Sequence, residues 1–305
     1  MQLFIQLIVD GLAQGSIYAA LALAIVLVNQ ATGLVNFAQG GMAVLSAYIG
    51  LAVVDLLAPA FGPGLVALAI VIAIVVALAF SFVFGAAVER LVMRRFERGD
   101  EDTAVVATIG VLTLITGLVG IIWSYNYQHF PWFFPIAQSF SIAGIGVSVW
   151  SLTTFLAVIV IMIVLQLLFM RTKLGLGLRA VADNPASAAL SGLKVGRLLM
   201  VGWGLAATLG AVGGILIAPK LQLTPNMLDS VLVYALAAVV IGGLDSPLGA
   251  VIAAWGIAIV ENLSAAYLPT IVGQDLKVAV PFAFLVIILI FRPQGLFGRK
   301  AVVRV

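Results

Sequence analysis

The sequence predicts an all-α, polytopic bundle of transmembrane helices with eight or nine spans. Hydrophobic residues make up 64% of the 305 residues and charged residues only 9%, and the mean hydropathy is +1.25. A soluble domain has roughly 45–50% apolar and about 25% charged residues, so this chain has too few polar side chains to cover a soluble globule. Apolar runs recur along its whole length, and we interpret residues 1–305 as one transmembrane domain.

Nine apolar runs are candidate spans, because a transmembrane helix needs about 20 predominantly apolar residues. In chain order they are Leu3–Val28, Leu34–Leu57, Leu65–Val88, Ala104–Trp123, Trp150–Phe169, Leu198–Ile217, Val231–Ile241, Leu248–Leu268 and Val278–Phe291. The seventh run is short, and the number of spans depends on it and on the first loop. The eighth follows Ser246 and Pro247, a cap and a first-turn proline that are typical of a helix start.

Basic residues orient these spans, because Lys and Arg collect on the cytoplasmic side of a membrane. Three clusters contain most of them: residues 90–98, residues 171–197 and residues 292–304. The connection 124–149 has no Lys or Arg and is expected outside. An even number of crossings must separate Arg197 from Arg292, so Val231–Ile241 counts as a crossing and the C-terminus is cytoplasmic. Lys220 and Lys277 then lie outside, as exceptions to the rule.

Several kinds of chemistry are absent from the sequence. There is no cysteine and only one histidine, His129, which excludes disulfides and multi-histidine metal sites. No G-x-x-x-x-G-K-[ST] loop occurs to bind nucleotide phosphates, and a net charge of +3 does not indicate nucleic acid. Carboxylates deep in the apolar runs are nearly lacking, unlike in many ion-coupled carriers. We therefore expect no enzyme activity and no cofactor on this chain, and energy for any pumping would come from other subunits.

The polar connection 171–197 predicts a short capped helix on the cytoplasmic face. Asn184 suits the N-cap and Pro185 the first helical position, while the alanines that follow favour helix. Gly192 is placed to end it. Such a helix offers a surface to a soluble partner, and the alternative is a loop that folds back on its own bundle.

Glycines and amides interrupt the start of the second apolar run, at residues 31–42. Irregular backbone is tolerated at membrane depth only where it is buried in protein or lines a watery cavity. Asn36 and Gln39 are three residues apart, so they share a face if this stretch is helical. These two amides either line a substrate pathway, together with Gly40 and Gly41, or form hydrogen bonds that join one helix to another.

Two further polar residues are candidates for a substrate pathway. Glu261 lies inside the eighth apolar run, nearer its outer end, and an ionisable group in a span is costly, by about 2.5–3.5 kcal/mol for a central Asp, Lys or Arg. It therefore has either a buried role or access to the membrane interface. Tyr18 in the first run would line a pathway if its helix faces one.

Four stretches that follow one another along the chain are distinctive: Asp10–Leu23, Gly33–Gly40, Gly177–Gly192 and Phe291–Gly298. Together they resemble the permeases of the branched-chain amino acid ABC transporter family, in particular the shorter of the family's two permease subunits. The second resembles the family signature Asn-Phe-Ala-(His/Gln)-Gly. Many relatives have Glu at the next position, where this chain has Gly41, so the solute stays open among branched-chain amino acids, urea, short amides and other small organic solutes.

The resemblance implies a fold of the ABC importer permease type in a bacterial inner membrane. Its expected partners are a second permease in a heterodimer, two cytoplasmic ATPases that bind ATP and magnesium, an extracytoplasmic binding protein and the lipid membrane, but no nucleic acid. The segment 171–197 resembles the family's cytoplasmic coupling segment. The residues that this implies for the ATPase contact are Arg179, Asp183, Asn184, Pro185, Ser187, Ala188, Ser191 and Gly192.

Two other classes of function stay open at this stage. A stand-alone channel for a small neutral solute would use the same glycine-rich breaks and need no ATP. An intramembrane enzyme is the weaker alternative, because no set of nucleophile, base or metal ligands converges in the sequence. Neighbouring genes for ATPases and a secreted binding protein would favour the importer over the channel.

Overall fold

The computed structural model describes residues 2–61, 65–96, 101–132, 138–142, 144–267, 279–292 and 294–298. Within these ranges the chain forms eleven α-helices and one two-stranded antiparallel hairpin. The predicted all-α polytopic bundle is therefore confirmed, although the hairpin in the connection between the fourth and fifth spans was not predicted. Its strands are β1 (Ser139–Ile142) and β2 (Ile145–Ser148).

Within the part of the chain that the structure describes, seven helices are long and apolar enough to cross a membrane. They are α1 (Gln2–Thr32), α2 (Gln39–Phe61), α3 (Val66–Leu91), α4 (Glu101–Trp123), α5 (Val149–Arg171), α8 (Val195–Leu221) and α10 (Pro247–Tyr267). Two shorter apolar helices, α9 (Asp229–Gly242) and α11 (Ala279–Phe291), coincide with the seventh and ninth predicted runs. Two further helices, α6 (Lys173–Asp183) and α7 (Pro185–Leu190), lie in the polar connection between α5 and α8. The number of eight or nine spans stays a prediction.

The helix α1 lies at the centre of the bundle, where nearly all its side chains from Gly11 onward are buried. It packs along α10, α8, α9 and α5. Glycines allow the closest of these approaches: a Cβ on Gly15 would lie 2.7 Å from the Cα of Trp255 in α10. Small residues at helix contacts are typical of membrane bundles, where packing rather than the hydrophobic effect holds helices together.

The helices α3, α4 and α5 form the outer layer and carry exposed apolar side chains. Val83 on α3 is 66% exposed, and Ile121 on α4 and Val160 on α5 are also exposed. A soluble protein seldom leaves such continuous apolar surface in contact with water. These faces are therefore suited to contact lipid or other membrane helices.

One end of the bundle, which we call the basic end, carries Arg90, Arg94, Arg179, Lys194 and Arg197. Contacts between connections hold this end together: Arg94 donates a hydrogen bond of 2.7 Å to the carbonyl oxygen of Gly196, and Gln30 donates one of 2.7 Å to that of Asp245. The predicted clustering of basic residues from distant parts of the chain at one end is confirmed for these positions. The basic residues at 98, 299, 300 and 304 lie outside the described residues.

The opposite end, which we call the hairpin end, contains β1 and β2. Gln6 near the start of α1 donates a hydrogen bond of 3.0 Å to the carbonyl oxygen of Gly146 in β2. Lys220, an expected exception to the charge rule, lies at this end with its Nζ 4.5 Å from the ring centroid of Trp150. A cation over an aromatic face is stabilised there. Lys277, the other exception, is outside the described residues.

The short helix α9 leads from the hairpin end back to the basic end. It follows Leu223, whose backbone pairs with Gln128 at the hairpin end, and it precedes Asp245, which Gln30 contacts at the basic end. Its 14 residues span roughly 21 Å at 1.5 Å per residue, less than the hydrocarbon core of a bilayer. Because most of its side chains are buried inside the bundle, a length that matches the membrane is not required of it.

The second predicted span begins later than the sequence suggested. Residues 33–38 are not helical, Gly33 has a φ of +74°, and α2 starts at Gln39 rather than Leu34. Ser246, by contrast, caps α10 as predicted, because the backbone N–H of Gly249 donates to its Oγ at 3.0 Å. The non-helical loop at 33–38 is the feature that shapes the first candidate site.

Candidate functional site

The amide pair at the junction of the non-helical loop and α2, Asn36 and Gln39, is fully buried. The Oδ1 of Asn36 accepts a hydrogen bond of 2.9 Å from the backbone N–H of Ala38, which closes a tight turn before α2. Its Nδ2 donates to the Oε1 of Gln39 at 3.1 Å. Residue 36 lies before the helix, so the condition for a shared helical face is not met, because Asn36 bonds the local backbone instead of continuing the helix. They are nevertheless in direct contact.

Gln39 also ties α2 to α8. Its Nε2 donates a hydrogen bond of 2.9 Å to the carbonyl oxygen of Ala206. The amide occupies the space where a Cβ on Gly210 would lie, so α8 accommodates it through the absence of a side chain there. The bonds made by Asn36 and Gln39 are thus helix-to-helix and turn contacts within this subunit. A role of either residue in a substrate pathway stays a prediction.

The two glycines after Gln39 face apolar side chains of neighbouring helices. A Cβ on Gly40 would lie 3.5 Å from Leu232 in α9, and a Cβ on Gly41 would lie 2.8 Å from the Cδ1 of Leu112 in α4. A side chain at position 41 would therefore have to displace Leu112. The Glu that many relatives have at this position would therefore meet the apolar side chain of Leu112 in α4. A pathway role of Gly40 and Gly41 stays a prediction.

The two other pathway candidates, Tyr18 and Glu261, are hydrogen-bonded to each other. The hydroxyl of Tyr18 donates to the Oε2 of Glu261 at 2.9 Å, and it accepts a hydrogen bond of 2.7 Å from the Nε2 of Gln14. Tyr234 of α9 also lies close to Glu261, and its ring stacks on that of Tyr18 with the centroids 4.8 Å apart. Three helices, α1, α9 and α10, thus meet in one polar cluster, which we call the tyrosine–carboxylate cluster.

This cluster holds a partly exposed acid among buried aromatic side chains. Tyr18 and Tyr234 are buried, whereas Glu261 is only partly buried. A carboxylate has about four acceptor sites, and two phenol hydroxyls leave capacity for another donor. The cluster can therefore accept a hydrogen bond from a cationic or polar group that approaches Glu261. No sequence pattern pointed to Tyr234, because it lies on a different helix and shares no spacing with the other members.

At the basic end, α7 has the caps that the sequence predicted. The Oδ1 of Asn184 accepts a hydrogen bond of 2.9 Å from the backbone N–H of Ser187, Pro185 is the first helical residue, and Gly192 has a φ of +83° after the helix ends. Leu190 is 91% exposed. The helix therefore projects from the bundle with an apolar side chain at its tip.

The residues predicted to contact an ATPase are not all on the surface. Ala188 is only 4% exposed and packs with Val181 and Leu199, so it anchors α7 to α6 and α8 and is not available to a partner. The remaining candidates are exposed: Arg179, Asp183, Asn184, Pro185, Ser187, Ser191 and Gly192. The exposed set forms one continuous surface from the second half of α6 to the end of α7.

Helix α6 was not predicted, and it gives Arg179 and Asp183 a particular position. Both line a cleft of about 540 Å³ at the basic end, together with Asn29, Gln166 and Asp245. The cleft lies between α6 and the ends of α1, α5 and α10. Arg179 and Asp183 are one turn apart on α6 and thus face the bundle side of the exposed surface. Among the residues the structure describes, no group of His, Cys, Asp or Glu could hold a metal ion.

The family profile and the curated relatives agree with each other. The sequence profile of the family described as "Branched-chain amino acid transport system / permease component" matches residues 7–289. The chain is 26% identical to the high-affinity branched-chain amino acid transport system permease protein BraD of Pseudomonas aeruginosa, over 99% of this chain and 98% of that protein. It is 28% identical to the permease protein LivH of the corresponding system of Escherichia coli K12, over 99% and 98%. Among solved structures, PsaBC from Streptococcus pneumoniae in complex with Fab aligns with a TM-score of 0.43 at 14% identity, over 95% of this chain and 92% of that one.

Proposed function

The chain belongs to the family of branched-chain amino acid transport system permease components, and from that premise we propose that it is one permease subunit of a bacterial ABC importer for branched-chain or related hydrophobic amino acids. Membership confirms the resemblance drawn from the four sequence stretches. The relatives BraD and LivH are transport permeases of nearly the same length. The proposed complex contains a second permease, two ATPases that bind ATP and magnesium, and an extracytoplasmic binding protein, in the inner membrane with the basic end and the C-terminus cytoplasmic.

The observation that carries this proposal is the exposed, capped helix α7. Its tip presents Leu190, 91% exposed, on a helix held rigid by the Asn184 cap and by Ala188 packed against Leu199. A free loop would not hold an apolar side chain in water at a fixed position. A short rigid helix of this kind suits a groove on an ATPase subunit, where the apolar tip is removed from water.

Motion of α7 would reach the bundle through α6 and α8. Helix α6 packs against α5, α1 and α8, and Gly175 in α6 sits against the backbone of α5 at Leu168 with no room for a Cβ. About two turns beyond Leu199, α8 accepts the bond from Gln39 at Ala206. We propose that closure of the ATPases moves α6 and α7 together and that α8 transmits the movement to the buried amide pair.

For the solute, we assign the ammonium group of the amino acid to Glu261. A branched-chain amino acid carries an ammonium, a carboxylate and an apolar side chain, and the tyrosine–carboxylate cluster combines an acid with aromatic rings. A hydrogen bond that involves a charged partner contributes about 1.5–3 kcal/mol. Urea and neutral amides lack the positive charge that would use this carboxylate, so the cluster favours the amino acid among the solutes left open by the sequence.

The test is ATP hydrolysis by the complex purified through a tag on this chain and returned to lipid. Hydrolysis should rise when the binding protein loaded with leucine, isoleucine or valine is added, and not with the empty binding protein. The same preparation measures uptake of the radiolabelled amino acid. A chain that purifies without ATPase subunits and still supports solute flux in liposomes would overturn the importer and favour a channel.

A further inference from the structure

A cleft at the basic end is lined by four cations from two distant parts of the chain. Arg90 and Arg94 come from the end of α3 and the turn after it, and Lys194 and Arg197 from the start of α8. The cleft has a volume of about 710 Å³, and no carboxylate is among the described residues that line it. Cations that face one another across a cleft repel, so their convergence indicates an anionic occupant.

One of the four cations is fixed in place by the protein itself. The guanidinium of Arg94 makes two hydrogen bonds of 3.0 Å to the Oε1 of Glu89 and one of 2.8 Å to its Oε2. The Glu89 side chain is 0% exposed, so its charge lies behind Arg94 and not in the cleft. Arg94 also donates to the carbonyl oxygen of Gly196 at 2.7 Å, which joins the end of α3 to the start of α8.

The other three cations are exposed and have no ion-pair partner among the residues that the structure describes. Arg90, Lys194 and Arg197 are exposed, and the ion pair between Arg94 and Glu89 is the one formed within the described part of the chain. Each therefore keeps its donors for a ligand. The N-terminus of α8 adds the positive end of its helix dipole at Val195.

The lower wall of the same cleft is apolar. Phe82 on α3 lies about two turns from Arg90, and Met200 and Val201 on α8 lie about one turn beyond Arg197. Beside Phe82, Val83 is 66% exposed on the outer face of the bundle. Both helices thus carry cations at the end of the bundle and apolar side chains one or two turns deeper. This order matches that of a phospholipid, in which a charged phosphate group lies above the acyl chains.

We propose that this cleft binds an anionic phospholipid, with the phosphate between Arg90, Lys194 and Arg197 and an acyl chain along Phe82 and Met200. Basic pockets between membrane helices on the cytoplasmic side bind such head groups. The bound phosphate offsets the repulsion between the cations of α3 and α8 and so holds the start of α8 to α3. Because only residues 191–194 separate α7 from α8, the lipid stabilises the position from which the exposed helix projects. The inference does not depend on which solute is carried.

The experiment compares the complex in nanodiscs of phosphatidylcholine with and without phosphatidylglycerol, and counts the phospholipids it retains by native mass spectrometry. The variant Arg90→Gln, Lys194→Gln, Arg197→Gln removes three cations of the cleft and leaves Arg94 with its bonds to the protein. The control Arg171→Gln, Lys173→Gln, Arg292→Gln removes the same charge at the same end from exposed positions outside the cleft.

Wild type and control should retain phosphatidylglycerol, and the cleft variant should bind it roughly tenfold or more weakly. Equal retention by the two triple variants would overturn the proposal. Met200→Gln tests the apolar wall: it should weaken the retention of phosphatidylglycerol, and retention equal to that of the wild type would overturn the placement of the acyl chain. If inorganic phosphate binds the wild type but not the cleft variant, while both retain phosphatidylglycerol equally, the cleft is an anion site without a lipid and the proposal is overturned. If the cleft variant loses ATPase subunits but keeps the lipid, the cleft is a protein contact.

Discussion

The hydroxyl of Tyr18 donates a 2.9 Å hydrogen bond to the carboxylate of Glu261, a residue 243 positions further along the chain. This bond joins the central helix α1 to α10 in the apolar part of the bundle, and Tyr234 brings α9 to the same carboxylate. A polar group inside a membrane protein is expensive unless it is bonded, and it is often functional. The cluster therefore serves two purposes in the proposal: it holds three helices together and it offers an acid to the solute.

Replacing the acid with its neutral amide tests the second purpose. In Glu261→Gln the side chain keeps its shape and one acceptor oxygen, but it loses the charge assigned to the ammonium group of the solute. We expect the KM for leucine uptake to rise roughly tenfold to a hundredfold, because a charge-assisted bond contributes about 1.5–3 kcal/mol, while basal ATP hydrolysis is unchanged. Asp55→Asn, at an exposed carboxylate near the end of α2, is the control. An unchanged KM in a properly assembled complex would contradict the assignment.

Removing the hydroxyl of Tyr18 tests the first purpose. Tyr18→Phe keeps the ring that stacks on Tyr234 but breaks the bonds to Gln14 and Glu261. In a double-mutant cycle with Glu261→Ala, which removes the acceptor, measured by thermal unfolding in detergent, we expect a coupling free energy of about 0.6 kcal/mol and at most about 1.7 kcal/mol, the mean and the maximum found for polar contacts between membrane helices. Tyr125→Phe, at an exposed hydroxyl of the hairpin end, should show no coupling. Strict additivity of the two changes would mean that the bond does not stabilise the bundle.

Local signals and long-range packing explain which features the sequence predicted. The cap at Asn184, the first-turn Pro185 and the stop at Gly192 act within a few residues. The sequence therefore predicted them, and the structure confirms them. Helix α6 was missed because glycines such as Gly175 weaken helix propensity, whereas in the structure that glycine permits close contact with α5. Helix propensity is a local property, and in α6 the packing against α5 outweighs it.

The two candidate clusters show the same limit. Tyr18 and Glu261 were each chosen because a polar group in an apolar run is unusual, but nothing in the sequence linked them. The shared helical face considered for Asn36 and Gln39 does not form, because the side chain of Asn36 bonds the nearby backbone at Ala38. A turn of this kind competes with helix, and the outcome depends on the neighbouring helices that bury it.

The cap of α7 can be tested separately from its surface. Asn184→Ala removes the acceptor for the N–H of Ser187, which costs about 0.5–2 kcal/mol of helix stability and allows the first turn to fray. We expect stimulation of ATP hydrolysis by the loaded binding protein to fall severalfold, with the rate of basal hydrolysis retained. Asn184→Asp keeps a capping oxygen and should restore most of the stimulation. Equal loss in both variants would show that the amide contacts the partner directly instead of acting through the cap.

The tip of α7 gives a complementary prediction. Leu190 is 91% exposed, so Leu190→Ala removes almost no packing within this subunit and should leave its thermal stability unchanged. If the side chain fills a groove on an ATPase, its loss should cost about 1.5–3 kcal/mol of binding and lower the amount of ATPase that co-purifies. Leu176→Ala, at an exposed leucine on α6 at the same end, is the control and should have little effect. Similar losses in the two variants would exclude a specific role for the tip.

The contact between Gln39 and α8 predicts an unusual pattern of rescue. Gly210→Ala places a methyl group where the amide of Gln39 lies, so Gln39 must leave its bond to Ala206 or α8 must move away from α2. We expect a loss of stability of about 1–3 kcal/mol, because a buried amide then lacks a partner, and a matching loss of uptake if the amide pair moves during transport.

Adding Gln39→Ala to Gly210→Ala frees that space and should recover part of the stability, so the two changes together should destabilise less than the sum of the single changes. Gly256→Ala is the control, since nothing lies within 4 Å of a Cβ at that position of α10; there the better helix propensity of alanine should leave stability equal or higher by up to about 1 kcal/mol. Thermal unfolding of the four variants in detergent measures these differences. If Gly210→Ala behaves like Gly256→Ala, then Gln39 does not pack against Gly210, and the path from α7 through α8 to the amide pair must be rejected.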